Sequence, residues 1–196
     1  MALKFQYNKI ALQSIQKQLK QRYSALPTLK NKESALRAEV KRYKNAYKKL
    51  TDDLSKEMNK IKPAQSLFTE FIDIVSVDKI GISTKKIAGV KIPVLEDVTF
   101  KTKKFSLINF PSWILDGAEL VKHITTLKIK LKIERRKIEI LEYARKKTTQ
   151  KVNLYEKVQI PAFEDAIIKI KRFLADEENL DRASQKIVKK RKVAVL

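Results

Sequence analysis

The stretch "LQSIQKQLKQRYSALPTLKNKESAL", residues 12–36, decides the fold because its apolar side chains recur at alternating steps of three and four residues. The same spacing continues beyond this stretch, and twelve of the fifteen positions along it are apolar. An apolar seam of this length predicts a coiled-coil helix with a repeat of about 3.5 residues. The seam consists of Leu12, Ile15, Leu19, Arg22, Leu26, Leu29, Glu33, Leu36, Val40, Tyr43, Tyr47, Leu50, Leu54, Glu57 and Ile61.

A proline interrupts this stretch without disturbing its seam. With Leu12 at heptad position a, Pro27 falls at b and Leu29 at d, so the proline points away from the partner helix. This placement predicts one continuous helix with a local bend on the solvent side, since proline removes one backbone hydrogen bond. Lys30 and Lys32 fall at e and g beside the seam, where they can meet a partner helix or a surrounding protein.

A second seam runs through the C-terminal half of the chain, and ten of its fourteen positions are apolar. Near Pro161 the best seam moves on by one residue, and Leu180 and Ile187 carry the stripe towards the end. Two long seams in one chain predict an antiparallel helix pair. The seam consists of Leu120, Ile124, Leu127, Leu131, Glu134, Ile138, Leu141, Arg145, Thr148, Val152, Tyr155, Gln159, Ala162 and Ala166, followed after the shift by Phe163, Ile167, Ile170 and Leu174.

The middle of the chain has a different pattern. Residues 71–110, "FIDIVSVDKIGISTKKIAGVKIPVLEDVTFKTKKFSLINF", are rich in β-branched and aromatic residues and hold two of the three glycines. Their alternation predicts two or three short strands, with turns near residues 79–81 and 85–89. Ser112 is a candidate N-cap for the second long helix, which would start at Trp113.

The predicted fold is therefore mainly α: a long antiparallel two-helix coiled coil from the N- and C-terminal segments, with a small β-hairpin or sheet insert in the middle. The segments are a helix over residues 1–62, the β-containing insert over 63–112 and a second helix over 113–196. Whether the strands form a hairpin or a three-stranded sheet stays open at this point.

Composition argues against an enzyme. Three glycines are too few for nucleotide-binding loops, cysteine is absent, and His123 is the only histidine, so we expect no catalytic residues, no metal site and no cofactor. No run of 18 apolar residues occurs, and the N-terminus lacks the features of a signal peptide, so we expect a cytosolic chain without direct membrane insertion.

The strongest compositional signal is charge. The formal net charge is +22, from 44 basic and 22 acidic residues, and such an excess needs an acidic partner. Nucleic acid, anionic membrane and acidic protein all qualify. The cluster Lys189, Lys190, Arg191 and Lys192 fits a nucleic-acid or nuclear-localisation patch, and equally a helix end, where cations are favourable. A basic coiled-coil protein that binds nucleic acid is therefore one of two hypotheses.

The other hypothesis comes from a resemblance. "LPTLKNKESAL" (residues 26–36), "IAGVKIPVL" (87–95) and "VNLYEKVQIPAFEDAIIKIKRFLADEE" (152–178) are similar, in this order, to three patches of the D subunit of the V-type rotary ATPases, closest to its bacterial form. The resemblance implies a non-catalytic central-stalk rotor subunit that couples ATP hydrolysis or synthesis to transport of H⁺ or Na⁺. It favours this function over nucleic-acid binding.

The resemblance also implies partners. The ends of the helix pair would insert into a head of A and B subunits, and the lower part would bind the F subunit and a socket protein on the membrane ring, which makes the chain peripheral to the membrane on the cytoplasmic side. The expected head contacts are Lys9, Lys30, Lys32, Lys189, Lys190, Arg191 and Lys192. The expected contacts with the F subunit or the socket are Ile87, Val90, Ile92, Pro93 and Trp113.

Overall fold

The computed structural model describes residues 5–64, 74–103, 111 and 113–194. Two compact units are present, one formed by Met1–Lys32 with Lys147–Leu196 and the other by Glu33–Lys146. The elements in chain order are helix α1 (Lys9–Ile61), a 3₁₀ turn (Lys62–Ala64), strands β1 (Val75–Ile87) and β2 (Val90–Thr102), helix α2 (Trp113–Asn153), a π-helical segment (Leu154–Gln159) and helix α3 (Ile160–Ala194). The prediction of a mainly α fold with a small β-containing insert is confirmed, and of the two arrangements left open the described residues form the two-stranded one.

Helix α1 begins at a polar cap and passes its proline without ending. The side-chain Oδ1 of Asn8 accepts a hydrogen bond of 2.6 Å from the backbone N–H of Ala11, which satisfies one of the free donors of the first turn. Pro27 is exposed inside the helix, as its heptad position predicts. The predicted continuity of this helix is therefore confirmed, and the local bend at Pro27 stays a prediction.

The unit that contains both chain ends is an antiparallel helix pair. Its core is built from Ile15 on α1 and from Phe163, Ala166 and Ile170 on α3, and all four are buried. The half-buried residues around them are Phe5, Leu12, Leu19, Ile167 and Leu174. Since all of these residues except Phe5 lie on the two predicted seams, the seams do pair in this unit.

The π-helical segment accounts for the shift of the second seam. Within it the helix is wound more widely, with hydrogen bonds that span five residues, so it holds one residue more than an α-helix would. Seam residue Val152 is buried just before it, and Phe163, on the shifted seam, is buried just after it. The extra residue therefore keeps both parts of the seam directed at α1.

The packed seam of α3 ends at Leu174. Leu180 is 69% exposed and Ile187 is 54% exposed, and every residue from 175 to 191 is exposed. The prediction that Leu180 and Ile187 extend the buried stripe is therefore wrong for this chain by itself. The reason is that Phe173 already contacts Tyr7, two residues before α1 begins, so the described residues offer no helix to cover the rest of α3.

The insert is a hairpin of two 13-residue strands. Strands β1 and β2 pair antiparallel from Val75 opposite Thr102 to Ile87 opposite Val90, with irregularities at two places in β1. The predicted turn near 85–89 is present: Ala88 and Gly89 both have positive φ, 48° and 81°, as a two-residue hairpin turn requires.

The predicted turn near residues 79–81 is wrong, because β1 runs through them. The glycine there serves a different purpose: a Cβ on Gly81 would collide with the carboxylate of Asp97 on β2. The candidate N-cap Ser112 lies outside the described residues.

In the second unit, the hairpin tip packs on the helices. Leu36 and Val40 of α1, Ile92 of β2 and Leu141 of α2 form its core, and Leu36, Ile92 and Leu141 have no exposed surface. The half-buried residues around this core are Tyr43, Ile87, Ala88, Val90, Ile140 and Ala144.

Among the described helices, none is both long and apolar enough to cross a bilayer.

Candidate partner-binding surfaces

The sites predicted from the sequence are surface positions that a partner protein could contact. In the described parts of the chain, no cluster of three or more metal-ligating side chains occurs. Charged and apolar patches that a partner protein could cover are present, and they include most of the positions predicted from the sequence.

The predicted head contacts on α1 lie at two separate levels. Lys9 is the first residue of the helix and is exposed, and Lys30 and Lys32, also exposed, lie about 30 Å further along it. The ammonium of Lys30 forms an ion pair of 2.7 Å with Glu156 in the π-helical segment. Since this pair is about half exposed, it adds little stability, and Lys30 can exchange Glu156 for a partner's carboxylate at low cost.

The predicted contacts at the C-terminal end lie on the last turns of α3. Lys189, Lys190 and Arg191 are exposed there, and the backbone of Lys192 continues the helix. They begin 16 residues beyond Phe173, which contacts Tyr7, so about 24 Å of helix separates them from the level at which α1 begins. The structure therefore does not bring this cluster together with Lys9.

The predicted contacts on the hairpin differ in exposure. Ile87, Val90 and Pro93 are half-buried, and Ile92 is fully buried against Leu36 and Leu141. Ile92 can therefore support a binding surface from beneath but cannot form its face.

Trp113 lies apart from these hairpin contacts. It begins α2, and the helix that follows it runs for about 40 Å before it reaches Leu141 in the core beneath the hairpin tip. The predicted contact set for the F subunit or the socket is therefore not one patch.

An arginine on the seam of α1 has a structural role that the sequence pattern does not reveal. The guanidinium of Arg22 lies 5.3 Å from the ring centroid of Phe163 and 5.9 Å from that of Tyr155, and its Nε donates to Gln159 Oε1 at 3.3 Å. A flat cation between two aromatic rings replaces the apolar side chain that the seam would otherwise require. In the sequence, the only indication of this role is that a charged residue occupies a seam position. The residues that Arg22 contacts could not be predicted, because their placement depends on the π-helical segment.

The second unit also has a basic face that is not among the contacts predicted from the sequence. Arg37, Lys41, Lys44 and Lys48 of α1 line a groove of about 340 Å³ together with Arg145 and Glu142 of α2. Lys44 pairs with Glu142 at 2.5 Å, and Arg37 pairs with Glu33 at 2.9 Å. The spacing of these four residues, by three or four positions, is the signal that could have revealed this face in the sequence.

A buried polar cluster lies near the core of this unit. Lys137 has only 6% of its surface exposed, and its ammonium lies 2.5 Å from Glu134 and 5.4 Å from the ring centroid of Tyr43. Burial, aided by the carboxylates of Glu39 and Glu134, raises the pKa of Tyr43 above the ordinary value, and Arg42 opposes this in part.

Two hydrogen bonds at the surface also shift pKa values. The hydroxyl of Tyr23 donates to Glu164 at 2.5 Å, and this bond to a carboxylate raises the pKa of Tyr23. Lys60 donates to Glu57 at 2.8 Å and lowers the pKa of that carboxyl. The first of these joins α1 to α3 beside the core of the helix pair.

Comparison with known proteins adds a family. The sequence matches the profile of the ATP synthase D subunit over residues 11–190. It is 32% identical over 167 residues to the V-type ATP synthase D subunit of Borreliella burgdorferi. This matched region covers 84% of this chain and 83% of that protein. It is 30% identical over 172 residues to the protein of the same name from Chlamydia trachomatis serovar L2, with 85% of each chain covered. The corresponding protein of Chlamydia pneumoniae is 28% identical over 175 residues, with 85% of this chain and 82% of that protein covered.

Proposed function

Since this chain belongs to the family of ATP synthase D subunits, we propose that it is the central-stalk rotor subunit of a V-type ATP synthase. In this function it couples ATP hydrolysis or synthesis in a head of A and B subunits to transport of H⁺ or Na⁺ through a membrane ring. The observation that carries the proposal is the family match, which takes in the two helical segments and the hairpin.

The packing within each unit suits a part that transmits torque. Every seam position of α1, from Leu12 to Ile61, is buried or half-buried, and α1 is unbroken over 53 residues. A helix held along its length by such packing resists bending and twisting, since each turn has at least one side chain that is partly or fully covered. The same holds for α2, whose seam positions are all at least half-buried.

The exposed end of α3 suits insertion into a sleeve. Its last 20 residues after Leu174 extend for about 30 Å, and the cations Lys189, Lys190 and Arg191 lie near the tip. Lysine-rich contacts with water-exposed carboxylates are individually weak, which allows them to be exchanged as a shaft turns. In the proposed complex this tip and Lys9 contact the A and B subunits, and Lys30 and Lys32 form a second level of contact.

The hairpin tip and Trp113 are the proposed contacts for the F subunit or the ring socket. Ile87, Val90 and Pro93 supply the accessible apolar surface, and Ile92 holds the tip on the helices from beneath. The chain itself is proposed to be non-catalytic and to reside in the cytoplasm, bound to the membrane through the complex.

A reversible cross-link tests rotation directly. The chain has no cysteine, so a single cysteine at the exposed Lys186 is the only thiol that it contributes to the complex. A partner cysteine is placed on the facing B subunit, and co-elution of the A, B and F subunits with this chain at low salt is checked first. We expect oxidation to stop ATP turnover and reduction to restore it, because a rotor tied to its sleeve cannot complete a turn.

The control carries the cysteine at position 186 with no partner cysteine on the B subunit, and its turnover should not respond to oxidation. Failure of the chain to co-elute with the A, B and F subunits would overturn membership of the complex. Full turnover with the cross-link formed would overturn the rotor function and leave membership intact.

A further inference from the structure

A groove of about 600 Å³ lies between β1 and α2 within the second unit. Its apolar lining includes two side chains that the described residues leave largely uncovered: Ile80 is 42% exposed and Ile82 is 54% exposed, although Ile133 beside them is buried. A concave apolar surface that stays open to water is typical of a binding site. The apolar lining residues are Ile80, Ile82, Pro93, Ile129 and Ile133.

The rim of this groove is positively charged. Its charged residues are Lys132, Arg135, Arg136 and Glu139, all on α2. The Glu139 carboxylate forms ion pairs with two arginines, at 3.4 Å from Arg135 Nε and 3.1 Å from Arg136 Nη1. Lys132 has no carboxylate within ion-pair distance among the described residues. One carboxylate against three cations leaves the rim with an excess of positive charge, which a partner's carboxylates would complement.

The length of the groove suggests the shape of the partner. The α2 residues 129, 132, 133 and 136 follow one another at helical spacing along one face, which gives a wall about 10 Å long, or two helical turns. A helix of a partner could lay its apolar side chains on the isoleucines and direct its flanking carboxylates at the rim.

We propose that this groove docks an acidic amphipathic helix of a partner protein. A phosphate backbone would leave the apolar lining uncovered, and a bilayer surface fits an exposed convex face better than a concave one. The inference does not depend on the rotor function, since it rests on the shape and charge of this groove.

Binding of a synthetic helix to the purified full-length chain tests the proposal. The probe is a fluorescent peptide of about 18 residues with leucines on one face and glutamates beside them, measured by anisotropy at about 0.15 M salt. We expect Ile82→Glu and the pair Arg135→Glu/Arg136→Glu each to weaken binding at least about tenfold. A peptide with glutamine in place of glutamate should bind the unchanged protein about tenfold more weakly.

Matched controls separate the groove from the general charge of the chain. Val77→Glu changes an exposed apolar residue of β1 outside the groove, and Lys128→Glu/Lys130→Glu reverses two exposed charges of α2 outside it. We expect both to bind the peptide within about threefold of the unchanged chain. Circular dichroism of each variant verifies folding, and since all altered side chains are exposed, folding should persist.

Three results would overturn the proposal. The first is no binding of the peptide to the unchanged chain. The second is an equal weakening of peptide binding by the groove variants and the control variants, which would show that binding depends only on the net charge of the chain. The third is binding of anionic vesicles or RNA that the groove variants abolish while peptide binding is unchanged.

Discussion

The backbone N–H of Ile160 donates to the carbonyl oxygen of Tyr155, five residues before it, so a wider π turn lies directly ahead of Pro161. Proline has no N–H to donate, and its ring crowds the carbonyl four residues earlier. A wider turn gives that carbonyl more room and adds one residue without rotating the next helix out of phase. The π-helical segment therefore joins two seams that differ by one residue.

Removal of one residue from this segment should be tolerated. Deletion of the exposed Lys157 together with Pro161→Ala should turn the segment into α-helix and leave Phe163 and Ile170 facing α1. We expect a thermal midpoint within a few degrees of the unchanged chain, or about 1 kcal/mol, measured by circular dichroism.

Deletion of the exposed Lys146 in α2 is the matched control. It removes one lysine from regular α-helix, so everything beyond it turns by about 100° relative to the residues before it. Several buried seam side chains, each worth about 1.5–3 kcal/mol, would leave the interface, which exceeds what a marginally stable chain can lose. Equal stability of the two deletions would show that the π turn does not absorb a residue.

The seams and their shift could be predicted from the sequence because spacing along a helix fixes which side chains share a face. The strand ends could not be predicted so well. Gly81 has the character of a turn residue, but in the structure it leaves room for Asp97 across the hairpin, and only the pairing of β1 with β2 shows this. A glycine in the sequence does not by itself show whether it forms a turn or makes room for a side chain on the neighbouring strand.

Surfaces were predictable only in part. The exposure of Lys30 and Lys32 follows from their heptad positions e and g, because these positions lie beside the seam and not within it. The burial of Ile92 and the open groove beside Ile82 depend on how the hairpin rests on the helices. That packing joins residues far apart in the sequence, so no local pattern reports it.

The two glycines of the hairpin should respond differently to alanine. Gly89→Ala should lower the free energy of unfolding by about 1–2 kcal/mol, because its φ of 81° strains any side chain. Gly81→Ala should cost less and should be rescued by Asp97→Ala, since the clash is with that exposed carboxylate alone. Urea unfolding of the two singles and both doubles checks this, and rescue of Gly89→Ala by Asp97→Ala would contradict it.

The buried ion pair should be costly to break and cheap to replace. Glu134→Ala leaves the ammonium of Lys137 buried without its carboxylate, and we expect a loss of about 3 kcal/mol in unfolding free energy. The double variant Glu134→Leu/Lys137→Met should be within about 1 kcal/mol of the unchanged chain or more stable. If the single and double variants lost the same amount, the pair would not be coupled.

Stability should fall at alkaline pH partly through Tyr43. Its pKa is raised in the folded chain, so its contribution is complete below the unfolded pKa near 10 and is lost as the pH rises through the higher folded value. Tyr43→Phe removes this loss, and its thermal midpoint should drop less than that of the unchanged chain above about pH 10. Tyr7→Phe, at an exposed phenol, controls for the loss of a tyrosine. If the curves of thermal midpoint against pH were parallel for the unchanged chain and Tyr43→Phe, Tyr43 would not contribute to the loss of stability at alkaline pH.

The end of α3 should be dispensable for folding and required for coupling. Truncation after Asp176 removes only residues that are exposed or lie beyond the described side chains, so the thermal midpoint of the isolated chain should change by less than about 2 °C. Truncation after Phe163, which also removes buried Ala166 and Ile170, should unfold the helix pair. In the assembled complex, we expect the shorter removal to abolish ATP-driven ion transport, because Lys189, Lys190 and Arg191 are lost from the proposed head contact. Normal transport by that truncated chain would show that the head is driven through other residues, whatever the midpoint.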